Sequence, residues 1–228
     1  MEILQNFAVF EGLDGSGTTT QLNILNEIFH PRGAKTSELY AAEPDPEPDY
    51  ASPLPPFHKT CEPTDGIIGR IIRSALRKEL ELRPETIARL FAADRCEHVY
   101  GPDGVAERCG RGELVVSDRY FPSSLVYQGI TCGEELPEML NKGFPGPELL
   151  LFFDIDPELA QRRMATREKM EIFEYLDFQI QVRGRYKALL PKLESQGIRV
   201  EIIDASAPAE EAASQVWCAI GKMPIIKR

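Results

Sequence analysis

The chain has 228 residues, 43% of them hydrophobic, enough to bury the core of one α/β domain but a squeeze for two. Its 26 Lys and Arg against 36 Asp and Glu leave a formal net charge of -10, which argues against broad binding to nucleic acid or an anionic membrane and points to a small ligand. No uninterrupted apolar run approaches the roughly 20 residues of a membrane span, and Met1 to Asn6 carry no basic segment, so a cytoplasmic location is expected.

Phe7-Ala8-Val9-Phe10 is a short apolar run that enters a glycine-rich turn at Gly12, after which Leu22, Leu25, Ile28 and Phe29 recur at helical spacing. That order predicts strand, loop, helix. Pro31 stops the helix, and residues 31–63 carry eight prolines together with Glu38, Glu43, Asp45, Glu47 and Asp49. A long, acidic, poorly ordered loop is expected there, at 32–58. Ile67, Ile68, Ile71, Ile72 and Leu76 share one face of a second helix, and a third starts at Pro84 and carries Ile87, Leu90 and Phe91. Leu114–Ser117, Leu149–Phe153 and Arg199–Ile203 read as fully buried strands of a parallel sheet covered on both faces. The alternation predicts one doubly wound α/β domain over residues 1–228, a three-layer fold with ligands at the carboxyl ends of its strands. Cys61, Cys96, Cys109, Cys132 and Cys218 lack C-x-x-C spacing and read as reduced thiols, suggesting neither a disulfide framework nor a zinc site.

Gly12-Leu13-Asp14-Gly15-Ser16-Gly17-Thr18-Thr19 fits the phosphate-loop pattern G-x-x-x-x-G-K-[ST] at every fixed position except the lysine, where Thr18 stands. Glycines let the loop turn its N–H groups toward phosphate oxygens, and the following helix aims its positive end at the same anion. Thr19 is the hydroxyl expected to ligate Mg2+, and Thr20 completes the loop. Asp118 follows a buried strand, where a carboxylate reaches Mg2+ beside the loop. A salt bridge closing the strand end is the plainer alternative for Asp118 and Arg119.

Phe10-Glu11-Gly12-Leu13-Asp14-Gly15-Ser16-Gly17, Leu90-Phe91-Ala92-Ala93-Asp94-Arg95, Asp118-Arg119-Tyr120 and Ser123-Ser124-Leu125-Val126-Tyr127-Gln128-Gly129 occur in an order that resembles thymidylate kinase, a P-loop nucleoside monophosphate kinase family. Glu62-Pro63-Thr64, Asp154-Ile155-Asp156-Pro157 and Ile203-Asp204-Ala205-Ser206 extend the resemblance through most of the chain, apart from the acidic insertion and residues 130–147. The resemblance implies phosphoryl transfer from ATP to dTMP with Mg2+, a small helical lid and a homodimer. It implies that Phe91 stacks on the base and Arg95 reaches its edge, with Ser124 and Gln128 near the polar edge. Asp14 is implied at the sugar 3′-hydroxyl, Tyr127 where it blocks a 2′-hydroxyl, and Arg119 and Glu62 at the acceptor. Phe91 and Arg95 share a helix face at i and i+4, as such a pair needs. Read without the resemblance, Phe91 is a core residue and Arg95 a partner of Asp94 or Glu97. A basic stretch with Arg163, Arg167 and Lys169 resembles the family's lid, at about 162–175.

Two departures remove positive charge from the phosphate site: Thr18 in the loop, and Cys61 where the family usually has an arginine. Arg163, Arg167 and Lys169 are the expected substitutes for the first and Lys59 for the second. Three readings therefore stand: a dTMP kinase, a kinase for another deoxynucleotide or deoxynucleoside, and a catalytically silent nucleotide-binding protein.

Overall fold

The computed structural model describes residues 1–31, 53–164 and 175–227. Five parallel strands form its sheet in the order β2-β3-β1-β4-β5: β1 Ile3–Gly12, β2 Phe57–Cys61, β3 Leu114–Asp118, β4 Gly146–Asp154 and β5 Arg199–Asp204. Phe7, Ala8, Val9, Phe10, Val115, Val116 and Leu149 to Phe153 are all 0% exposed, which is why these strands read as continuous apolar runs rather than alternating ones.

The helices among the described residues are α1 Thr18–Phe29, α2 Ile67–Leu76, α3 Pro84–Tyr100, α4 Val105–Gly110, α5 Phe121–Cys132, α6 Glu135–Asn141, α7 Pro157–Met164, α8 Leu176–Ser195 and α9 Ala209–Gly221. They cover both faces of the sheet, as the pleat of β2 makes visible. Lys59 bonds Asn23 of α1 on one side, while its neighbour Thr60 bonds His98 of α3 on the other. On the α1 side Phe29 stacks on Phe57 and meets Trp217 of α9 edge-on. On the α3 side Glu11 and its register partner Phe152 both meet Tyr186 of α8.

Two expectations need correction. The loop expected at 32–58 ends earlier, because Phe57–Cys61 is a strand paired with β3. Only Phe57 among its residues is buried, so an outer strand of this kind leaves no apolar run to read. Residues 32–52 lie outside the described residues. Arg199–Ile203 is a strand as expected but is not fully buried: β5 is the other outer strand, and Ile202 is 64% exposed.

Candidate active site

Strand order determines what meets at the carboxyl end of the sheet. β1 delivers the loop from Gly12, and its neighbour β3 ends at Asp118, level with Phe10 and opposite Cys61 of β2. Between them opens a cleft of about 1120 Å3 lined by the loop residues Leu13 to Thr20 and by Lys59, Cys61, Glu62, Arg73, Asp118, Arg119 and Arg163.

The loop turns where Ser16 N–H donates to Leu13 O at 3.1 Å. Gly15 has φ +82, and a side chain there would come within 2.6 Å of Ala160 O; Gly17, with φ +90, caps α1. Thr18, in the lysine position, is 6% exposed. Thr19 Oγ1 donates to Asp118 Oδ2 at 2.6 Å, whereas Asp118 Oδ1 and Ser16 Oγ are buried without a hydrogen-bond partner among the described residues. Buried oxygens seldom go unsatisfied, and these two border the place where a metal and phosphates would be. A hydroxyl and one carboxylate oxygen suit Mg2+, which takes few protein ligands and completes its shell with water and phosphate oxygens.

Arg119 occupies the turn after β3 with φ +75. Its N–H donates to Phe10 O at 2.9 Å, Nη1 donates to Gly12 O and Nη2 donates to Asp14 Oδ1 at 2.8 Å. The guanidinium lies 5.4 Å from the centre of the Tyr127 ring. Burial disfavours its charge, yet Tyr127, Asp14, Tyr186 and Glu11 hold its pKa well above the ordinary guanidinium value. Asp14 also accepts from Gln179 Nε2 of α8 at 3.1 Å, so loop, turn and α8 form one polar unit.

At the departure from the family, Cys61 is not accompanied by Lys59 as expected. Lys59 Nζ instead donates to Asn23 Oδ1 at 2.8 Å, and the cation beside Cys61 is Arg73 of α2, whose Nη2 is 3.5 Å from the sulfur and also donates to Pro63 O. Arg73 Nε is buried without a partner among the described residues. Burial pushes the Cys61 thiol above its usual range, with Asp118 and Asp65 adding to the shift against Arg73, so it stays protonated.

Arg95 pairs with neither Asp94 nor Glu97. It is 1% exposed and lies behind Glu62, with Nε and Nη2 donating to Glu62 Oε2 at 2.9 and 2.6 Å, Nη2 to Ser124 Oγ at 3.0 Å and Nη1 to Asn141 Oδ1. Tyr120 and Phe144 flank it, their ring centres 5.4 and 5.7 Å away. Burial in this position demands a carboxylate partner, and Glu62 meets that demand. Phe91 is half-buried at the edge of the core. Tyr127 is buried, and Gln128 is buried with Oε1 lacking a partner among the described residues. Arg163 donates to Ala205 O at 2.7 Å and Ser206 O at 3.4 Å, so its guanidinium is turned to the loop after β5. Arg167, Lys169 and most of the expected lid lie outside the described residues.

Three participants carry no signal in the order of residues. Arg73 belongs to no motif. Tyr186 lies in a long helix whose pattern says nothing of partners. Glu11 stands inside the loop motif without an expected role, yet it is fully buried and accepts from Tyr186 Oη at 2.7 Å and Ser123 Oγ at 2.6 Å.

A glycine loop at the head of a helix, a hydroxyl and carboxylate in contact beside it, and arginines across the cleft define a P-loop phosphotransferase. The family model for thymidylate kinase matches residues 54–216. Relatives named as thymidylate kinases include proteins of Treponema pallidum (strain Nichols), 36% identical over 92% of this chain and 91% of its own, and Pyrobaculum aerophilum, 34% identical over 92% and 93%. Another, of Methanococcus vannielii, is 38% identical over 80% of this chain and 77% of its own. The chain belongs to the thymidylate kinase family, and it is a kinase. No described helix is long and apolar enough to cross a membrane.

Proposed function

We propose that this chain transfers the γ-phosphoryl group of ATP to dTMP, giving dTDP for dTTP synthesis. Family membership supports the reaction, and the observation that carries it to these residues is the 2.6 Å contact of Thr19 with Asp118, whose other oxygen is buried and unpartnered among the described residues. The silent-binding alternative is not favoured, because the relatives matched over most of this chain are named as kinases.

In this reading Gly12 to Thr20 cradle the ATP phosphates. Thr19 and Asp118 hold Mg2+, which when bound neutralises charge on the donor phosphates. Arg119 and Arg73 hold the acceptor phosphate, with Glu62 beside it. Asp14 receives the sugar 3′-hydroxyl, Tyr127 excludes a 2′-hydroxyl, and Phe91, Ser124 and Gln128 receive the base. The buried Gln128 Oε1 accepts an N–H of the base, and Arg95 orients Ser124 and Glu62 at its edge. An acceptor phosphate oxygen attacks the γ-phosphorus in line as the bond to the ADP oxygen breaks, with no covalent enzyme intermediate. Arg163, Arg167 and Lys169 close over the transferring group. The working form is a cytoplasmic homodimer, as in the family it belongs to.

The test is dTDP formation from ATP and dTMP with Mg2+, with Asp118→Ala as the control for a contaminating kinase and dUMP, dGMP and thymidine as competitors. Turnover lost in the control and strongest with dTMP is expected. Binding of ATP and dTMP without turnover would overturn the reading in favour of a silent binder, and preference for a competitor would reassign the acceptor.

A further inference from the structure

Resting on that reaction, we propose that Lys59 supplies the donor-phosphate charge that Thr18 leaves out of the loop. A phosphate loop normally carries a lysine that reaches the β- and γ-phosphates, and phosphoryl transfer depends on such neutralisation. Among the described residues, the Lys and Arg side chains that line the cleft are Lys59, Arg73, Arg119 and Arg163. Arg119 is bound to Asp14 and Gly12 O, Arg163 to two carbonyls beyond β5, and Arg73 to Pro63 O beside Cys61. Lys59 differs from all three. Its ammonium is exposed and its one hydrogen-bond partner among the described residues is the neutral side-chain oxygen of Asn23, which can be exchanged for a phosphate at little cost.

The position of Lys59 is suited to that exchange. Asn23 stands four residues after Thr19 on α1, so the side chain that holds the ammonium lies about 6 Å, roughly one helical turn, from that of Thr19. On β2, Lys59 shares a face with Cys61, which is the register partner of Asp118. Two residues of strand rise, roughly 6.6 Å, separate Lys59 from that level, a distance the flexible four-carbon arm of lysine spans. Swinging from Asn23 toward the helix N-terminus brings the ammonium to the Thr19 and Asp118 side of the phosphates. The charge has thus moved from the first turn of α1 to the neighbouring strand. Beyond Lys59 on the same face, Arg73 stands beside Cys61 and takes up the acceptor side.

The experiment compares wild type with Lys59→Met, Lys59→Arg and the double variant Thr18→Lys/Lys59→Met. It measures kcat for dTDP formation together with the affinities for Mg·ATP and dTMP by calorimetry. Lys59→Met keeps the apolar stem of an exposed side chain and is expected to lower kcat by ~10²-fold and weaken Mg·ATP binding by about tenfold, with dTMP affinity unchanged. Lys59→Arg retains most of both, and restoring lysine at position 18 recovers at least about tenfold of the lost rate. Retention of kcat and Mg·ATP affinity within about threefold in Lys59→Met overturns the proposal. So does a parallel loss of dTMP affinity, which would place Lys59 at the acceptor phosphate. Wild-type protein that makes no dTDP fails the reaction reading instead, and the Mg·ATP affinities of wild type and Lys59→Met then decide the lysine alone.

Discussion

Asp14 Oδ1 and Arg119 Nη2 form a 2.8 Å ion pair that ties the phosphate loop to the turn after β3. Arg119 holds a left-handed backbone, φ +75, which a non-glycine residue adopts at a cost. The contacts of its N–H with Phe10 O and of its guanidinium with Gly12 O and Asp14 offset that cost. The guanidinium is therefore held in place by the protein alone, which would lower the ordering cost of gripping the acceptor phosphate proposed for it. Arg119→Lys keeps the charge but cannot contact Asp14, Gly12 O and a phosphate together. Its kcat/KM for dTMP is expected to fall by ~10²-fold with Mg·ATP affinity unchanged. Steady-state kinetics check this, and a loss below tenfold would remove Arg119 from the acceptor site.

Gln128 Oε1 is buried without a partner among the described residues, and a polar atom so placed destabilises the empty protein while favouring a ligand that satisfies it. Gln128→Leu is thus expected to do two opposite things. It weakens dTMP binding by about tenfold, the worth of roughly one neutral hydrogen bond, and leaves the melting temperature unchanged or slightly raised. Phe91→Ala should also weaken dTMP much more than ATP. Calorimetry and thermal melts test the pair of effects, and unchanged dTMP affinity in Gln128→Leu would clear Gln128 from the base site.

What the sequence made legible was whatever depends on neighbours along the chain. β1, β3 and β4 announce themselves because strands buried on both faces are unbroken apolar runs, and the loop, Thr19 and Asp118 follow from local spacing. β2 did not, since Phe57-His58-Lys59-Thr60-Cys61 buries one side chain and spends the rest on α1, α3 and the cleft. Contacts made by packing were equally hidden. Nothing in the order of residues tells that Tyr186 reaches Glu11 across 175 positions, or that Arg73 fills the place beside Cys61. Arg95 illustrates both sides: its i, i+4 relation to Phe91 was readable, whereas its partner Glu62 comes from a loop that only the fold brings near.

That buried partnership gives a sharp stability prediction. Arg95 and Glu62 have side chains 1% and 2% exposed, with a closest approach of 2.6 Å, and His98 Nδ1 lies 3.0 Å from the other Glu62 oxygen. Glu62→Gln leaves the guanidinium buried without its counter-charge and is expected to cost about 3–5 kcal/mol in urea unfolding. Replacing both residues, as Glu62→Leu with Arg95→Met, removes both charges and should recover much of that loss while abolishing dTMP selectivity. A single substitution costing under about 1 kcal/mol, the range of exposed pairs, would show that the site is wet rather than sealed.

Glu11 sets a pH dependence of the opposite sense to an ordinary surface carboxylate. It is 0% exposed, and burial raises its pKa above the usual 4.5 in spite of Arg119 and hydrogen bonds from Ser123, Tyr186 and the Tyr120 N–H. The native state therefore holds the proton more tightly than the unfolded chain. Its contribution to stability is complete below pH 4.5 and is lost as pH rises toward the native pKa, by about 1.4 kcal/mol for each pH unit that separates the two states' pKa values. Glu11→Gln cannot titrate, so the unfolding free energy of wild type minus that of Glu11→Gln should decline from pH 4.5 upward and level off once the native carboxyl is ionised. Because other groups titrate alike in both proteins, the difference isolates this one. Urea titrations at intervals from pH 4 to 8 measure it; a difference that grows with pH means that the hydrogen bonds and Arg119 outweigh burial, and Glu11 then anchors the site as a carboxylate at all working pH values.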